Sequence, residues 1–360
     1  MGISYVCDGV PYDFVSQIQD NSRICGVCSA SIKIEEMLSH SSMHGENVVY
    51  QMPLKRLFFR PGPGHIELNM ARKVLSFLWT VIMKNIATEL GFRTPNALKV
   101  FKNGIDHHRS CQVIESCLSA FAKELLVPYV RMCIQENSIP TANDYETWYT
   151  ESVDSKKYGF LFHITFWYLL SFKVFKEGVR KNNSDSMMAG RTVFAPLFYC
   201  GHHPKYQRLF LRDLVERVKY PENVTAYIKS TESHSVSGDL DKGQGGDFIH
   251  EEVNKNIKSY LQGCGIPTKR IWVNIIRKAK TLDVIKDKIV ENTDINNKSG
   301  KKRPKKFAHE ITMIRKMIRE AHYLDSYDVE DELITSISGD VLDKSLCDFS
   351  YTAKENYKTY

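Results

Sequence analysis

Two cysteines and two histidines near the N-terminus have the spacing of a zinc-binding unit. Two residues separate Cys25 from Cys28, eleven precede His40, and three lie between His40 and His44. A thiolate pair on a turn and an imidazole pair one helical turn apart can place four ligands tetrahedrally around Zn²⁺. The central gap is slightly shorter than the common finger spacing of about 12 residues. We therefore predict one equivalent of zinc at these four residues.

This zinc is predicted to be structural, because four protein ligands leave no position for an activated water. Ile32 and Leu38 fall where a finger keeps its small apolar core, and residues 34–40 are predicted to form the helix that carries the first imidazole. That helix, together with the residues just before it, carries two glutamates and one lysine, a charge that disfavours contact with a phosphate backbone. A lone finger also reads only about three base pairs, so this finger is not expected to recognise DNA. We interpret the finger as a metal site that stabilises the fold or as a module that contacts other proteins. The alternative is that Cys25 and Cys28 are buried free thiols.

Three carboxylates are candidates for a different chemistry, the cleavage of phosphodiesters by two metal ions. Such an enzyme needs acids from separate elements that converge on ions ~3.5–4 Å apart. Asp8 follows a predicted strand, Glu67 follows a Gly/Pro turn, and Glu251 lies in a predicted helix. Asp8 also suits a turn before Gly9, and Glu251 with Asp247 also suits the start of a helix. Both interpretations remain open at the level of sequence.

The tandem histidines His107–His108 and His202–His203 are interpreted as structural. Adjacent residues on a helix or strand point in different directions, so such a pair seldom gives two ligands to one ion. Hydrogen-bonding or capping roles are expected instead. The sequence contains no serine nucleophile elbow, phosphate-binding loop or dinucleotide fingerprint. No small-molecule substrate is therefore expected.

The positive charge is concentrated in one segment. The net charge is +7 over 360 residues, and the run Lys298–Lys306 supplies six positive and no negative side chains. The rest of the chain is nearly neutral, whereas a body that binds a long duplex usually has a wider basic surplus. Gly300 and Pro304 favour an extended segment, which indicates a nuclear-import signal rather than a plain linker or a phosphate-contacting arm. The predicted signal consists of Lys301, Lys302, Arg303, Lys305 and Lys306.

The elements that must position these residues change along the chain from strands to helices. Short β-branched and apolar runs predict strands at 3–7, 47–51 and 56–59. From Ile66 to Ile86 apolar residues recur at helical spacing, and Gly91 is a suitable C-cap. Further helices are predicted at 94–104, 109–135, 141–151, 156–180, 185–199, 205–218, 221–230, 245–261, 267–290 and 307–323.

The predicted fold class is α+β, mainly α, with a small N-terminal β portion, a zinc-finger insert and a large helical body. The most apolar run, Phe160–Phe175, is shorter than the ~20 residues that cross a bilayer, so it is predicted at the centre of the body and no membrane is expected. The first ten residues lack a secretory pattern, so the nine cysteines are expected to be reduced or metal-bound. The predicted organisation is strands at 1–65 with the finger at 22–46, a helical body at 66–290, a basic linker at 291–306, a helix at 307–324 and an acidic, disordered or weakly helical tail at 325–360.

Many sequence blocks, in order over roughly residues 4–290, resemble an uncharacterised family of transposon-derived animal proteins that is defined by a domain of unknown function. The blocks include CDGVPY, the Cys/Cys/His/His insert, FFRPGPGHIELN, LGFRTPNAL, NGIDHHRS, APLFYCGHHPKY and GGDFIHEEVNK. The resemblance implies descent from a transposase with a distant RNase H-like core, so that the small sheet would be part of such a core. Asp8 and Glu251 would then be remnants of its acidic triad.

Two departures from this family bear on activity. Relatives with a fuller acidic set carry an aspartate two residues before the histidine of the Pro-Gly turn, where this chain has Pro63, and the Asp8 strand comes too early for the preceding strands of an RNase H-like sheet. We therefore expect a nuclear, zinc-containing, catalytically silent protein that binds DNA or nuclear proteins. The alternatives are a Mg²⁺-dependent nuclease or transposase that uses Asp8, Glu67 and Glu251, or a gene fragment with no function of its own.

Overall fold

The chain divides into two compact units, residues 1–246 together with 307–360, and residues 247–306. A computed structural model describes residues 3–7, 9–45, 47–54, 57–200, 204–235, 238–239, 241–248, 251, 268, scattered positions between 270 and 288, 307–330, 333–343 and 346. Over these residues the fold is mainly helical, with small sheets near the N-terminus, as the predicted fold class states. The basic segment 291–306, with its predicted import signal, lies outside the described residues.

The N-terminal part contains two small sheets. Its elements are β1 (Ile3–Cys7), α1 (Gly9–Asn21), β2 (Ser22–Cys25), β3 (Ser31–Lys33), α2 (Met37–Ser41), β4 (Tyr50–Gln51) and β5 (Leu57–Pro61). Strand β1 pairs in parallel with β5, and β2 lies between β3 and β4 in an antiparallel sheet. A parallel pair requires a long crossover, which here contains α1 and the whole finger. The finger therefore extends beyond the predicted residue 46, because β4 completes its sheet.

Most of the predicted helices are present in the first unit. They are α3 (Pro63–Phe77), α4 (Lys84–Glu89), α5 (Pro95–Lys102), α6 (His107–Gln135), α7 (Ala142–Ser152), α8 (Lys156–His163), α9 (Leu170–Lys181), α10 (Ser184–Tyr199), α11 (Pro204–Lys219), α12 (Glu222–Ser230) and α13 (Ala308–Glu320). Single π-helical turns, Trp79–Met83 and Ile164–Leu169, join α3 to α4 and α8 to α9. A short hairpin follows α12, formed by β6 (Ser233–His234) and β7 (Gln244–Gly245).

The apolar stretch Lys156–Lys181 crosses the helical body. Phe172 and Phe175 are buried in the core, but Trp167 is 53% exposed, so the body covers most faces of this stretch rather than all of them. By length and composition it is the one stretch among the described residues that could cross a membrane, and 56% of its apolar window is buried inside the protein. Gly190 lets α10 pack closely on α9, because a Cβ there would lie 2.6 Å from the Ser171 carbonyl oxygen.

The C-terminal segment differs from the predicted disordered tail. After α13, residues Tyr323 and Leu324 are buried, and Ile334 and Leu342 join the same core. The backbone N–H of Ile337 donates to the carbonyl of Val81 at 2.8 Å. The acidic composition suggested disorder, but the acids Asp325, Asp328, Asp340 and Asp343 are exposed while two of the apolar residues between them, Ile334 and Leu342, are buried in the core. The expectation is therefore corrected for the described residues between 325 and 346.

The second unit is described only in part. Residues 247, 248 and 251 are helical, as are the described positions between 270 and 288. These positions agree with the predicted helices at 245–261 and 267–290, whereas Gly245 belongs to β7 and Thr268 is not helical.

Candidate metal centre

A tight turn after β2 holds the two finger cysteines. Gly26 donates its N–H to the Val49 carbonyl at 2.9 Å, and a Cβ at Gly26 would lie 2.8 Å from that oxygen. Ser29 takes a left-handed conformation with φ of 60° and donates its N–H to the Cys25 carbonyl at 2.9 Å. The turn therefore depends on a glycine at position 26, and it brings Cys28 back towards Cys25.

The four predicted ligands converge. One ligand atom from each of Cys25, Cys28, His40 and His44 lies within 4.8 Å of all the others. The Cys28 Sγ atom is 3.5 Å from His40 Nε2, close to the ~3.5 Å between sulfur and nitrogen ligands of a tetrahedral zinc ion. Cys25 is fully buried and His40 is largely buried, whereas Cys28 and His44 are exposed. The set can hold a metal ion, and the sequence prediction that these residues come together is correct.

The turn also favours the thiolate form of Cys25 by lowering the pKa of its thiol. The backbone N–H of Cys28 is the main cause that lowers the pKa of the Cys25 thiol to about 7, against the opposing effect of burial. The N–H of Val27, 3.4 Å from Cys25 Sγ, and the His40 ring lower this pKa further. Because metals bind the thiolate form, this turn favours metal binding near neutral pH.

The finger helix differs from the predicted helix at 34–40. A 3₁₀ turn, Ile34–Glu36, precedes α2, and Leu38 is 86% exposed rather than part of the finger core. A 3₁₀ turn has fewer residues per turn than an α-helix, so it changes the face on which later residues lie. Met37 is partly buried instead, and its carbonyl accepts a hydrogen bond from the Tyr50 hydroxyl at 3.1 Å.

Glu67, one of the candidate catalytic acids, lies in a buried cluster of the helical body. Its Oε1 atom is 3.1 Å from His107 Nε2 and 3.6 Å from Cys111 Sγ. The hydrogen-bonding role predicted for the 106–108 segment is confirmed, since Asp106 also caps α6 by accepting from the Arg109 N–H at 3.0 Å. The pair His107 and Cys111 was not predicted from the sequence, although its four-residue spacing was an available signal.

The structure does not test whether the other two candidate acids converge with Glu67. Asp8 lies outside the described residues, and Glu251 is exposed and belongs to the second unit, whereas Glu67 belongs to the first. His202 and His203 also lie outside the described residues. Convergence of the three acids remains a prediction.

A buried ion network that was not predicted from the sequence joins β5 to α10 and α11. Asp213 binds Arg60 at 3.1 Å, Arg191 at 2.5 Å and Arg217 at 3.0 Å. Glu232 also binds Arg60, at 2.9 Å, and Arg217. Burial alone would raise the pKa of the Asp213 carboxyl, but the guanidinium groups of Arg191 and Arg60 outweigh burial and hold this pKa below its ordinary value. Arg60 lies more than a hundred residues from both of its partners, so its part in the network leaves no local sequence signal, whereas Asp213 and Arg217 are four residues apart on α11.

Comparisons with known proteins give no relative from which a function can be transferred. No protein-family model matches the chain, and neither the curated proteins nor the solved structures give a significant match. The function is therefore argued from the residues and their geometry.

Proposed function

We propose that this chain is a nuclear, zinc-containing protein derived from a transposase, that it does not cleave DNA, and that it acts by binding nuclear proteins or DNA. The main support for the loss of cleavage comes from the sheet edge at which β1 and β5 both end. These strands are parallel and Cys7 pairs with Pro61, so both strands end at the same edge. Asp8 follows the first strand in the sequence, and Pro63 begins α3 just after the second.

This edge supports descent from a two-metal enzyme because neighbouring strand ends are a natural place for converging carboxylates. The family resemblance puts its second acid at position 63, and Pro63 has no oxygen or nitrogen ligand in its side chain. Glu67, one turn further along α3, is buried and hydrogen-bonded to His107. Both features favour a protein that has lost the chemistry over an active nuclease.

The metal of the finger is proposed to be zinc in a structural role. Two thiolates and two imidazoles are a preferred donor set for tetrahedral Zn²⁺. Four protein ligands leave no open position, so the ion would fix the turn after β2 and the short helix α2 rather than activate water.

The surface of the finger favours contact with a protein over contact with DNA. Leu38, Met43 and Val49 are 86%, 70% and 66% exposed. Lys33 lies 3.6 Å from Glu35 and 4.0 Å from the carboxylate of Glu36, so its positive charge is offset locally. Exposed apolar side chains without a surplus of basic ones suit a protein interface.

The purified chain is expected to show no Mg²⁺- or Mn²⁺-dependent cleavage or strand transfer above background on single- or double-stranded DNA. Loss of one metal carboxylate weakens both ion binding and stabilisation of the transition state. A radiolabelled cleavage assay with both metals is the measurement, and Asp8→Ala and Glu251→Ala are the controls. Activity that disappears in either control would show that the chain is an enzyme.

The basic run is expected to direct nuclear entry. In a fluorescent fusion too large to enter by diffusion, replacing Lys301, Lys302 and Arg303 with alanine should leave the protein in the cytoplasm, because import receptors read a cluster of positive charge. Replacing three scattered lysines, Lys219, Lys229 and Lys242, provides a control with the same change in charge. Equal nuclear accumulation of the wild type and the 301–303 variant would assign the run to a solvated linker.

A further inference from the structure

We propose that Glu67, His107 and Cys111 form a second metal site, for a zinc-class transition-metal ion, inside the helical body. The site is separate from the finger residues, and the proposal does not depend on the transposase origin of the chain. The three side chains come from two helices, α3 and α6, that pack against each other. They combine a carboxylate, an imidazole and a thiol, which are the three kinds of side chain that bind zinc in proteins.

The separations of the three ligand atoms agree with a tetrahedral metal centre. Glu67 Oε1 lies 3.1 Å from His107 Nε2 and 3.6 Å from Cys111 Sγ, and the sulfur lies 3.7 Å from that nitrogen. Zinc bond lengths of ~2.0 Å to oxygen and nitrogen and ~2.3 Å to sulfur give tetrahedral edges of about 3.3 Å for the first pair and about 3.5 Å for both pairs that include sulfur. All three observed distances therefore agree closely with the edges of one face of a coordination tetrahedron.

The helices hold this face in place. His107 and Cys111 are four residues apart on α6 and so lie on the same side of the helix, one turn from each other. Glu67 projects from α3 to the same point, because its carboxylate contacts both of these side chains. Two ligands from one helix and a third from a neighbouring helix form a rigid donor set that needs little rearrangement to bind an ion.

Charge favours a divalent cation at this point. Glu67 is 2% exposed and Cys111 is 3% exposed, and a buried carboxylate is costly without a cation. Lys176, which pairs with Glu115 one turn beyond Cys111 on α6, also interacts with the charges of Glu67 and Cys111 and supplies one positive charge beside the cluster. A Zn²⁺ ion with one carboxylate, one thiolate and a neutral imidazole makes a set of zero net charge, provided that the Cys111 proton leaves when the metal binds.

The geometry also assigns the fourth position to a water molecule. Three protein ligands with one open position are the arrangement of reactive zinc sites, whereas the finger has four protein ligands. The His107 side chain is 17% exposed, so the cluster has one side that solvent reaches. The two centres would therefore differ in the rate at which the bound metal ion exchanges. The body site would also accept a small anionic ligand such as azide in place of water.

The test is the zinc content of the full chain after incubation with zinc and desalting. We expect two equivalents in the wild type, one in Cys25→Ser/Cys28→Ser, and none when Glu67→Gln is added to that variant. Glutamine keeps an oxygen that accepts a hydrogen bond from His107 but removes the ionised ligand, so a purely structural hydrogen bond would survive the change. Cys200→Ser is the matched control, because Cys200 is a partly exposed thiol bonded to the Pro196 carbonyl.

Cobalt binding provides a second measurement that requires no substitution in the helical body. In Cys25→Ser/Cys28→Ser, added Co²⁺ should give the near-ultraviolet charge-transfer absorption of a single cobalt–thiolate bond, and azide should shift its visible bands. Absence of both zinc and cobalt–thiolate absorption from this variant would overturn the proposal and leave a hydrogen-bonded cluster. Because the finger variant retains every residue of the body site, the result does not depend on whether Glu67→Gln folds. A positive result would revise the single equivalent predicted from the sequence.

Discussion

The Cys25→Ser/Cys28→Ser variant should lose one equivalent of zinc and the ordered structure of residues 22–51, while the helical body keeps most of its ellipticity. The finger has few buried apolar residues of its own, so metal binding supplies its folding free energy, with apparent values of ~10–16 kcal/mol for isolated zinc fingers. The large core cluster contains none of the four ligands. Elemental analysis measures the zinc, and circular dichroism together with limited proteolysis measures the order of the two regions.

The controls separate this prediction from the second metal site. Cys200→Ser removes a thiol outside both clusters and should leave the metal content unchanged. Glu67→Gln alone should leave the finger equivalent in place. If the double cysteine variant retained as much zinc as the wild type, the finger assignment would be wrong, whatever the state of the body site.

Asp213→Asn should be among the most destabilising single substitutions in the first unit, by about 3–5 kcal/mol in the free energy of unfolding. The substitution keeps the size of the side chain but leaves Arg60, Arg191 and Arg217 with the carboxylate of Glu232 as their remaining acid in this network. Removing one partner from a buried ion network leaves uncompensated charge in a medium of low dielectric constant. Urea denaturation followed by circular dichroism measures the change.

Asp185→Asn is the matched control for this prediction. The Asp185 carboxylate binds Lys229 at 2.6 Å but is 81% exposed, so solvent screens the pair and little change in stability is expected. If the two substitutions lowered the free energy of unfolding equally, burial would not be the reason that the network stabilises the protein.

The same carboxylate predicts a dependence of stability on pH. The arginines hold the pKa of Asp213 below its ordinary value, so its contribution is present above the unfolded pKa of ~3.9 and is lost as the pH falls through the lower, folded value. Asp213→Asn should therefore lose less stability than the wild type when the pH is lowered below about 4.

Local signals predicted much of this fold. Thr94 followed by Pro95 marks the start of α5, and the Thr94 side chain accepts from the Ala97 N–H at 3.2 Å as a cap does. The repeated apolar spacing from Ile66 predicted α3, because one face of that helix is buried. The finger ligands were found from their spacing alone, since a metal site within one short segment leaves its pattern in the sequence.

Features that depend on distant contacts could not be predicted in this way. Helix α1 was missed because Tyr12 is buried against Leu209, nearly two hundred residues away, whereas Phe14 is exposed. The exposure of Leu38 follows from a 3₁₀ turn that leaves no clear sequence signal. Likewise, Glu67 meets His107 across two helices, and only their packing brings the two residues together.

The first unit is built from two separate parts of the chain, residues 1–246 and residues 307–360, and the second unit, 247–306, lies between them in the sequence. The order of synthesis therefore matters for the folding of the first unit. Ribosomal synthesis delivers α13 and the segment that follows it only after residues 1–306, so the body cannot close its apolar surface before this later part of the chain has been made. The late residues that complete this surface are Ile314, Ile318, Tyr323, Leu324, Ile334 and Leu342. A nascent chain that stops before residue 307 would expose the matching apolar surface to chaperones, so the core of this unit cannot be completed until α13 has emerged from the ribosome.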